Sequence, residues 1–177
     1  MPTGGFKRAL GVIGQDATNR SLLDLVNSDE WRCVSDRTSD NPFELVYRAP
    51  LFVPEERDGF DYLLRFWWEF DKEGSSRLPT ESEAKIIDAY TRAMRRGLTG
   101  RNCPLLLCSL SSDGMHQWIV AARDFLGAQL EVWEATGEAQ IETERTCGSF
   151  PTILTTSALD ESWSDVLEAQ KLIERFS

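Results

Sequence analysis

Two neighbouring runs, Pro104 to Leu110 and Met115 to Arg123, are apolar on both of their alternating faces, and this leaves the chain few ways to fold. They are joined by Ser111-Ser112-Asp113-Gly114, and Asp-Gly is the preferred pair for a two-residue hairpin turn. With Asp113 and Gly114 central, Ser111 pairs with His116, Leu110 with Gln117 and Cys108 with Ile119. One face then carries Leu106, Cys108, Leu110, Gln117, Ile119 and Ala121. The other carries Leu105, Leu107, Ser109, His116, Trp118, Val120 and Ala122. A strand pair of this kind needs a cover on each side.

Upstream, Tyr62, Leu64, Phe66, Trp68 and Phe70 form an unbroken apolar row at period two, the core face of a strand. The opposite row, Leu63, Arg65, Trp67 and Glu69, is mixed. Thr80 and Glu83 then form a capping box at the start of a helix on which Ile87, Tyr90 and Met94 recur at helical spacing. Arg92, Arg95 and Arg96 suit its C-terminal dipole, and Gly97 and Gly100 offer the stop. After the hairpin, Asp124 caps a helix to about Ala135 with Leu126, Leu130 and Trp133 on its stripe, and Ala139 to Thr146 alternates as a strand. A second hairpin over residues 128–146, turning at Thr136-Gly137, is the rival reading. The favoured order, strand, helix, strand, strand, helix, strand over residues 60–146, is that of a ferredoxin-like α+β sandwich.

The first 59 residues read as a strand at Phe6 to Ile13, a helix around Asn19 to Val26, and short strands at Trp31 to Ser35 and Phe43 to Tyr47. Pro50, Pro54 and Glu55-Glu56-Arg57-Asp58-Gly59 mark the link to the main unit. This N-terminal α/β layer is too small to stand alone, so it is expected to pack on the unit of residues 60–177 within one compact domain. A last helix runs from Asp160 to Phe176, with Trp163, Val166, Leu167, Ile173 and Phe176 on one stripe.

The motifs in this order resemble the bacterial domain-of-unknown-function family six-ninety-five. The likeness rests on Leu78-Pro79-Thr80-Glu81 at the helix start, Gly114-Met115-His116-Gln117-Trp118 in the hairpin, Arg123-Asp124, and Asp160-Glu161-Ser162-Trp163. It spans roughly residues 60–176. Arg77-Leu78-Pro79 departs from it, where the family has a glycine before the proline, and so does Ile119-Val120-Ala121-Ala122, where an aromatic often follows. The resemblance implies a ferredoxin-like fold and lends no catalytic residue. Similar folds serve acidic regulators of RNA-degrading enzymes, which is analogy from fold alone.

Composition bears on function through charge. The chain of 177 residues has a net charge of −10, and residues 124–177 hold 3 basic and 11 acidic groups of it. Such a balance repels nucleic-acid phosphates and anionic bilayers. No run approaches the length of a membrane span, and Met1 to Gly14 lacks the pattern of a signal peptide, so a cytoplasmic location is expected. Four scattered cysteines without a CxxC pair and the single His116 offer no zinc site, and no cofactor is expected. Phosphate-cradle and nucleophile-elbow motifs are missing from the sequence. His116 could act as a base beside Ser109 or Ser111, but at a strand end a histidine satisfied by its neighbours is the commoner outcome.

These features predict an acidic, non-enzymatic module that binds a basic protein, as an immunity protein or inhibitor of a nuclease-like toxin or as a regulator of an RNA-degrading enzyme. Its candidate contacts are Arg65, Trp67 and Glu69 on the sheet and the carboxylates Glu138, Glu142, Glu144, Asp160, Glu161, Asp165 and Glu168. One alternative is a small metal-dependent hydrolase using Asp58, Asp61, Asp71 and Glu73. The other is a structural subunit that associates through its sheet.

Overall fold

The computed structural model describes residues 21–70, 77–101, 103–147, 154–158 and 163–177. Phe6 to Ile13, Asp71, Glu73, Asp160 and Glu161 lie outside them. The elements run α1 (Leu22–Asn27), β1 (Trp31–Asp36), β2 (Phe43–Arg48), β3 (Tyr62–Glu69), α2 (Glu81–Gly97), β4 (Leu105–Ser112), β5 (Met115–Ala122), α3 (Phe125–Cys147), β6 (Leu154–Ala158) and α4 (Ser164–Phe176). This is an α+β fold around one sheet of order β1-β2-β4-β5-β3-β6, and every neighbouring pair in it is antiparallel.

The hairpin at the centre forms as its turn chemistry dictates. Asp113 and Gly114 both take positive φ, at 50° and 72°, and Ser111 lies opposite His116, Leu110 opposite Gln117 and Cys108 opposite Ile119. Farther from the turn the faces differ from strict alternation. A bulge sets Leu106 against Val120 and Cys108 against Ile119, so that Leu107 is the extra residue. Leu105 and Leu107 therefore join Cys108 on one side, while Leu106 turns to the side of Trp118 and Val120.

Each face has its own core. On the first, Leu22, Leu25 and Val26 of α1, together with Trp163 just before α4 and Val166 and Ala169 on it, cover Leu45, Leu63, Leu105 and Ile119. On the second, Tyr90, Ala93 and Met94 of α2 and Ala128, Val132 and Ala139 of α3 cover Leu64, Phe66, Trp118 and Val120. The N-terminal residues thus do both jobs open to them: β1 and β2 extend the sheet beyond β4, and α1 covers part of the first face. On α4 the stripe is Trp163, Val166 and Ala169, with Leu172, Ile173 and Phe176 packed beside it, and Leu167 points to solvent.

Helix α2 starts as expected. The Thr80 hydroxyl accepts from the Glu83 amide, and the Glu83 carboxylate accepts from the Thr80 amide at 2.7 Å. Arg77 donates to both Glu83 oxygens, at 2.6 and 2.9 Å, and first among several bonds it holds that carboxyl down to about 2. The Trp118 indole N–H donates to the Thr91 hydroxyl at 2.8 Å, tying α2 to β5.

The largest departure from expectation is α3. It is one helix of 23 residues, so Ala139 to Thr146 is helical, the rival hairpin over 128–146 does not form, and the strand beside β3 is Leu154–Ala158. The reason is visible in the inner face. Ala128, Val132, Thr136, Ala139 and Thr143, spaced by three or four, are all buried, and ending the helix at Ala135 would remove the last three from that row. Gly137 costs the helix only about 1 kcal/mol and does not stop it. Small residues are required there because α3 lies close to α2: a Cβ at Gly97 would come within 2.7 Å of the Ala135 Cβ.

Gly97→Val should therefore destabilise the protein by about 1–3 kcal/mol through overpacking. Gly137→Ala, where a Cβ meets nothing within 4 Å, should gain up to about 1 kcal/mol. Urea denaturation of the two variants checks the pair, and equal effects would contradict this crossing of α2 and α3.

Candidate functional site

The stripe Leu126, Leu130 and Trp133 lies on the outside of α3. These residues are 68%, 62% and 66% exposed, and Ile141, two turns on, is 61% exposed. Once the small row is turned inward, spacings of four, three and eight residues place all four on the opposite side of the helix. Shallow clefts flank the ridge made by Trp133. One of about 470 Å3 is lined by Phe66, Leu126, Leu130, Val132, Trp133 and Gln140. The other, of about 310 Å3, is the notch over Gly137 between Trp133 and Ile141. Scattered exposed apolar residues are ordinary, but four along one helix face with clefts on either side form a surface that a partner can bury.

Carboxylates run along one flank of this stripe. Glu134, Glu138 and Glu142 are exposed and Glu131 is half-buried. Burial first, then the charges of Glu134 and Asp124, raise the Glu131 carboxyl above its ordinary value. Gln129 and Gln140 lie along the other flank, and Arg145 is the single basic residue of the helix. Glu144 is exposed near its C-terminal end. The surface is thus apolar along its ridge and negative on one side. Asp124 holds the N-terminus, where its carboxylate accepts from the Gly127 amide at 2.8 Å.

The other expected contacts are dispersed. Arg65 on β3 and Asp165 on α4 form a bidentate ion pair with each other, with Arg65 Nε donating at 3.2 Å. Two residues offered as partner contacts therefore clamp α4 to the sheet. Trp67 is half-buried and Glu69 exposed on that same side, and Glu168 is exposed on α4, across the sheet from α3. Asp58 is used locally, accepting from the Ser21 hydroxyl at 2.6 Å and the Leu23 amide at 3.3 Å at the start of α1. Asp61 is exposed before β3. Among the described residues no group of three histidine, cysteine or carboxylate side chains is placed to hold a metal, and no helix is long and apolar enough to cross a membrane.

The pair with the form of a catalytic base and nucleophile is Ser111 and His116, with Oγ and Nδ1 at 2.7 Å. Burial alone drives the imidazole down to about 3. Its Nε2 is sealed from solvent and has no hydrogen-bond partner among the described residues, and its ring meets Trp118 edge-on at 4.4 Å. A base of this kind holds no useful proton affinity near neutrality. The arrangement is that of a histidine locked beside the hairpin turn.

The surface residues that the sequence does not single out are therefore Leu126, Leu130, Trp133 and Ile141, together with Glu131 and Glu134. The signal was the competing row of small residues at helical spacing. Comparison with known proteins finds no matching family model, no matching curated protein and no matching solved structure.

As the only histidine, His116 offers a clean titration. Its folded pKa lies below the unfolded value near 6.5, so the unfolded chain takes the proton first, and stability should fall as pH drops from 6.5 toward 3. The imidazole proton signal followed by NMR should stay at its neutral position through that window while the protein remains folded. Titration near 6.5 would contradict the sealed site.

Proposed function

We propose that this chain is a non-enzymatic interaction module in which the outer face of α3 grips an amphipathic helix carried by a basic protein. The observation that carries this reading is the exposed stripe Leu126, Leu130, Trp133 and Ile141 beside the carboxylates Glu131, Glu134, Glu138 and Glu142. A helix laid along it would seat apolar side chains in the clefts on either side of Trp133, and a basic flank would meet the carboxylates. Trp is among the residues that most often dominate binding energy. A second copy of the chain is a poor occupant, because each copy brings a net charge of −10. Antiparallel pairing would also set Glu134 and Glu138 against their own counterparts.

The same proposal extends to the partner and the fold. A nuclease-like toxin, or an RNA-degrading enzyme under regulation, carries the cationic surface that such a face selects, which makes an immunity protein or inhibitor the specific form of the reading. Within the sheet, β3, β4, β5 and β6 lie in the order fourth, first, third, second, with α2 and α3 on one face. That order supports a ferredoxin-like unit enlarged by β1 and β2, as the resemblance to family six-ninety-five implies.

A synthetic amphipathic peptide of leucine and lysine tests the docking, with its leucine and glutamate counterpart as control. The lysine peptide should bind, protect Trp133 fluorescence from quenching, and release as salt rises. Trp133→Ala should weaken binding by about thirtyfold, the scale of one interface hot spot. Glu134→Lys with Glu138→Lys should also weaken it, while circular dichroism stays unchanged. Equal binding of the glutamate peptide, or undiminished binding by Trp133→Ala, would contradict the proposal.

A further inference from the structure

A further cavity lies between α2 and the strands β2, β4 and β5, and neither the docking face nor the ion pair that clamps α4 uses it. It measures about 610 Å3, within the range of small-molecule sites, and its walls include Val46, Pro79, Ile87, Ser109, Ser111 and Arg95. Three carboxylates also border it, and each is already neutralised. Glu44 pairs with Arg37, Asp88 with Arg92, and Glu81 with Lys85 at 2.8 Å.

Arg95 is the cation left over. Its guanidinium stacks on the Trp31 ring at 4.4 Å and has no carboxylate partner among the described residues. The same ring carries a second guanidinium, Arg48, at 5.0 Å, which is buried and bonded to the Leu106 carbonyl at 3.3 Å and to the Ser28 carbonyl. The charge of Asp29 already offsets the repulsion between the two guanidinium groups at Arg48, so Arg95 is the one of the pair that faces the cavity without a carboxylate. Stacking also fixes the plane of the Arg95 fork in advance, which reduces the entropy lost when it binds an oxyanion.

The hydroxyls complete the site. Ser109 is buried at the cavity wall. Ser111 is held by His116. When Nδ1 carries the imidazole proton, it donates to Ser111 and leaves the serine O–H to donate into the cavity. Val46 and Ile87 supply an apolar wall.

We propose that this cleft binds a small organic anion, with its oxyanion head on the Arg95 guanidinium, a polar atom on Ser109 or Ser111, and its apolar body against Val46 and Ile87. The site lies in an otherwise acidic protein and is independent of the helix-docking face of α3. Carboxylate and phosphate heads share the chemistry that Arg95 recognises, and the choice of probes separates them.

The experiment is an amide NMR titration of the full chain with benzoate, with inorganic phosphate and, at matched ionic strength, with choline as a cation control. At millimolar concentration at least one anion should shift the amides of Thr91, Arg95, Ser109 and Ser111 in a saturable way, benzoate alone marking a carboxylate site and phosphate alone a phosphate site. Arg95→Met should weaken that binding by about tenfold or more, the loss expected for one charge-assisted contact. Arg96→Met, on the same helical turn but outside the cavity wall, should leave it unchanged. Arg95→Lys, which keeps the charge and loses the fork, should fall between them. Even without folded variants the unmodified chain decides: failure of both anions to shift these four amides, or an equal response to choline, would overturn the proposal. So would undiminished binding by a folded Arg95→Met.

Discussion

The structure depends on burying the β4–β5 hairpin from both sides. A strand pair that is apolar above and below cannot lie at the surface of a two-layer protein, so the sheet acquires α2 and α3 on one face and α1 and α4 on the other. The rest follows from how those helices share the space. On the second face two long helices must lie side by side over the same strands, and they approach so closely at Gly97 and Ala135 that only small side chains fit between them. The inner row of α3 is therefore made of alanine, valine and threonine.

That constraint leads to the proposed function. With the small residues turned inward, the bulky ones of α3 have nowhere to go but outward, and Glu131, Glu134, Glu138 and Glu142 of the same helix flank them. An isolated amphipathic helix would bury Leu126, Leu130 and Trp133, but this helix buries its less hydrophobic side and leaves the other for a partner. The first face shows the contrast. There Arg65 and Asp165 neutralise each other and α4 closes over the sheet, so the charges expected to recruit a partner hold the fold together instead.

Local chemistry was legible in the sequence wherever one residue type has one conformational role. Asp113-Gly114 specified the turn, the turn specified the register of β4 and β5 near it, and Thr80 with Glu83 specified where α2 begins. The period-two row from Tyr62 to Trp68 marked a core strand for the same reason. What could not be read was decided by neighbours distant in sequence. The bulge at Leu107 exchanges the faces of three leucines without any local signature. In α3, Ala139 to Thr146 satisfies a strand alternation and a helix periodicity about equally well, and the helix prevails because it continues the row that fits against α2. The outward direction of the stripe was not legible, because hydrophobicity says that a side chain prefers burial, not which of two faces the tertiary structure has room to bury. For the anion cleft, Arg95 suited the helix C-terminus well enough to need no other role, and its stacking on Trp31 arises only when β1 joins the sheet.

The rotation of α3 about its own axis decides which of its faces a partner can meet, and solvent relaxation of side-chain NMR signals tests it directly. With a soluble gadolinium chelate, the methyl groups of Leu126, Leu130 and Ile141 and the indole of Trp133 should relax strongly, while the methyls of Ala128, Val132 and Ala139 remain protected. Protected leucines and a protected Trp133, with relaxed alanines, would mean that the helix faces the other way, and the docking surface would not exist.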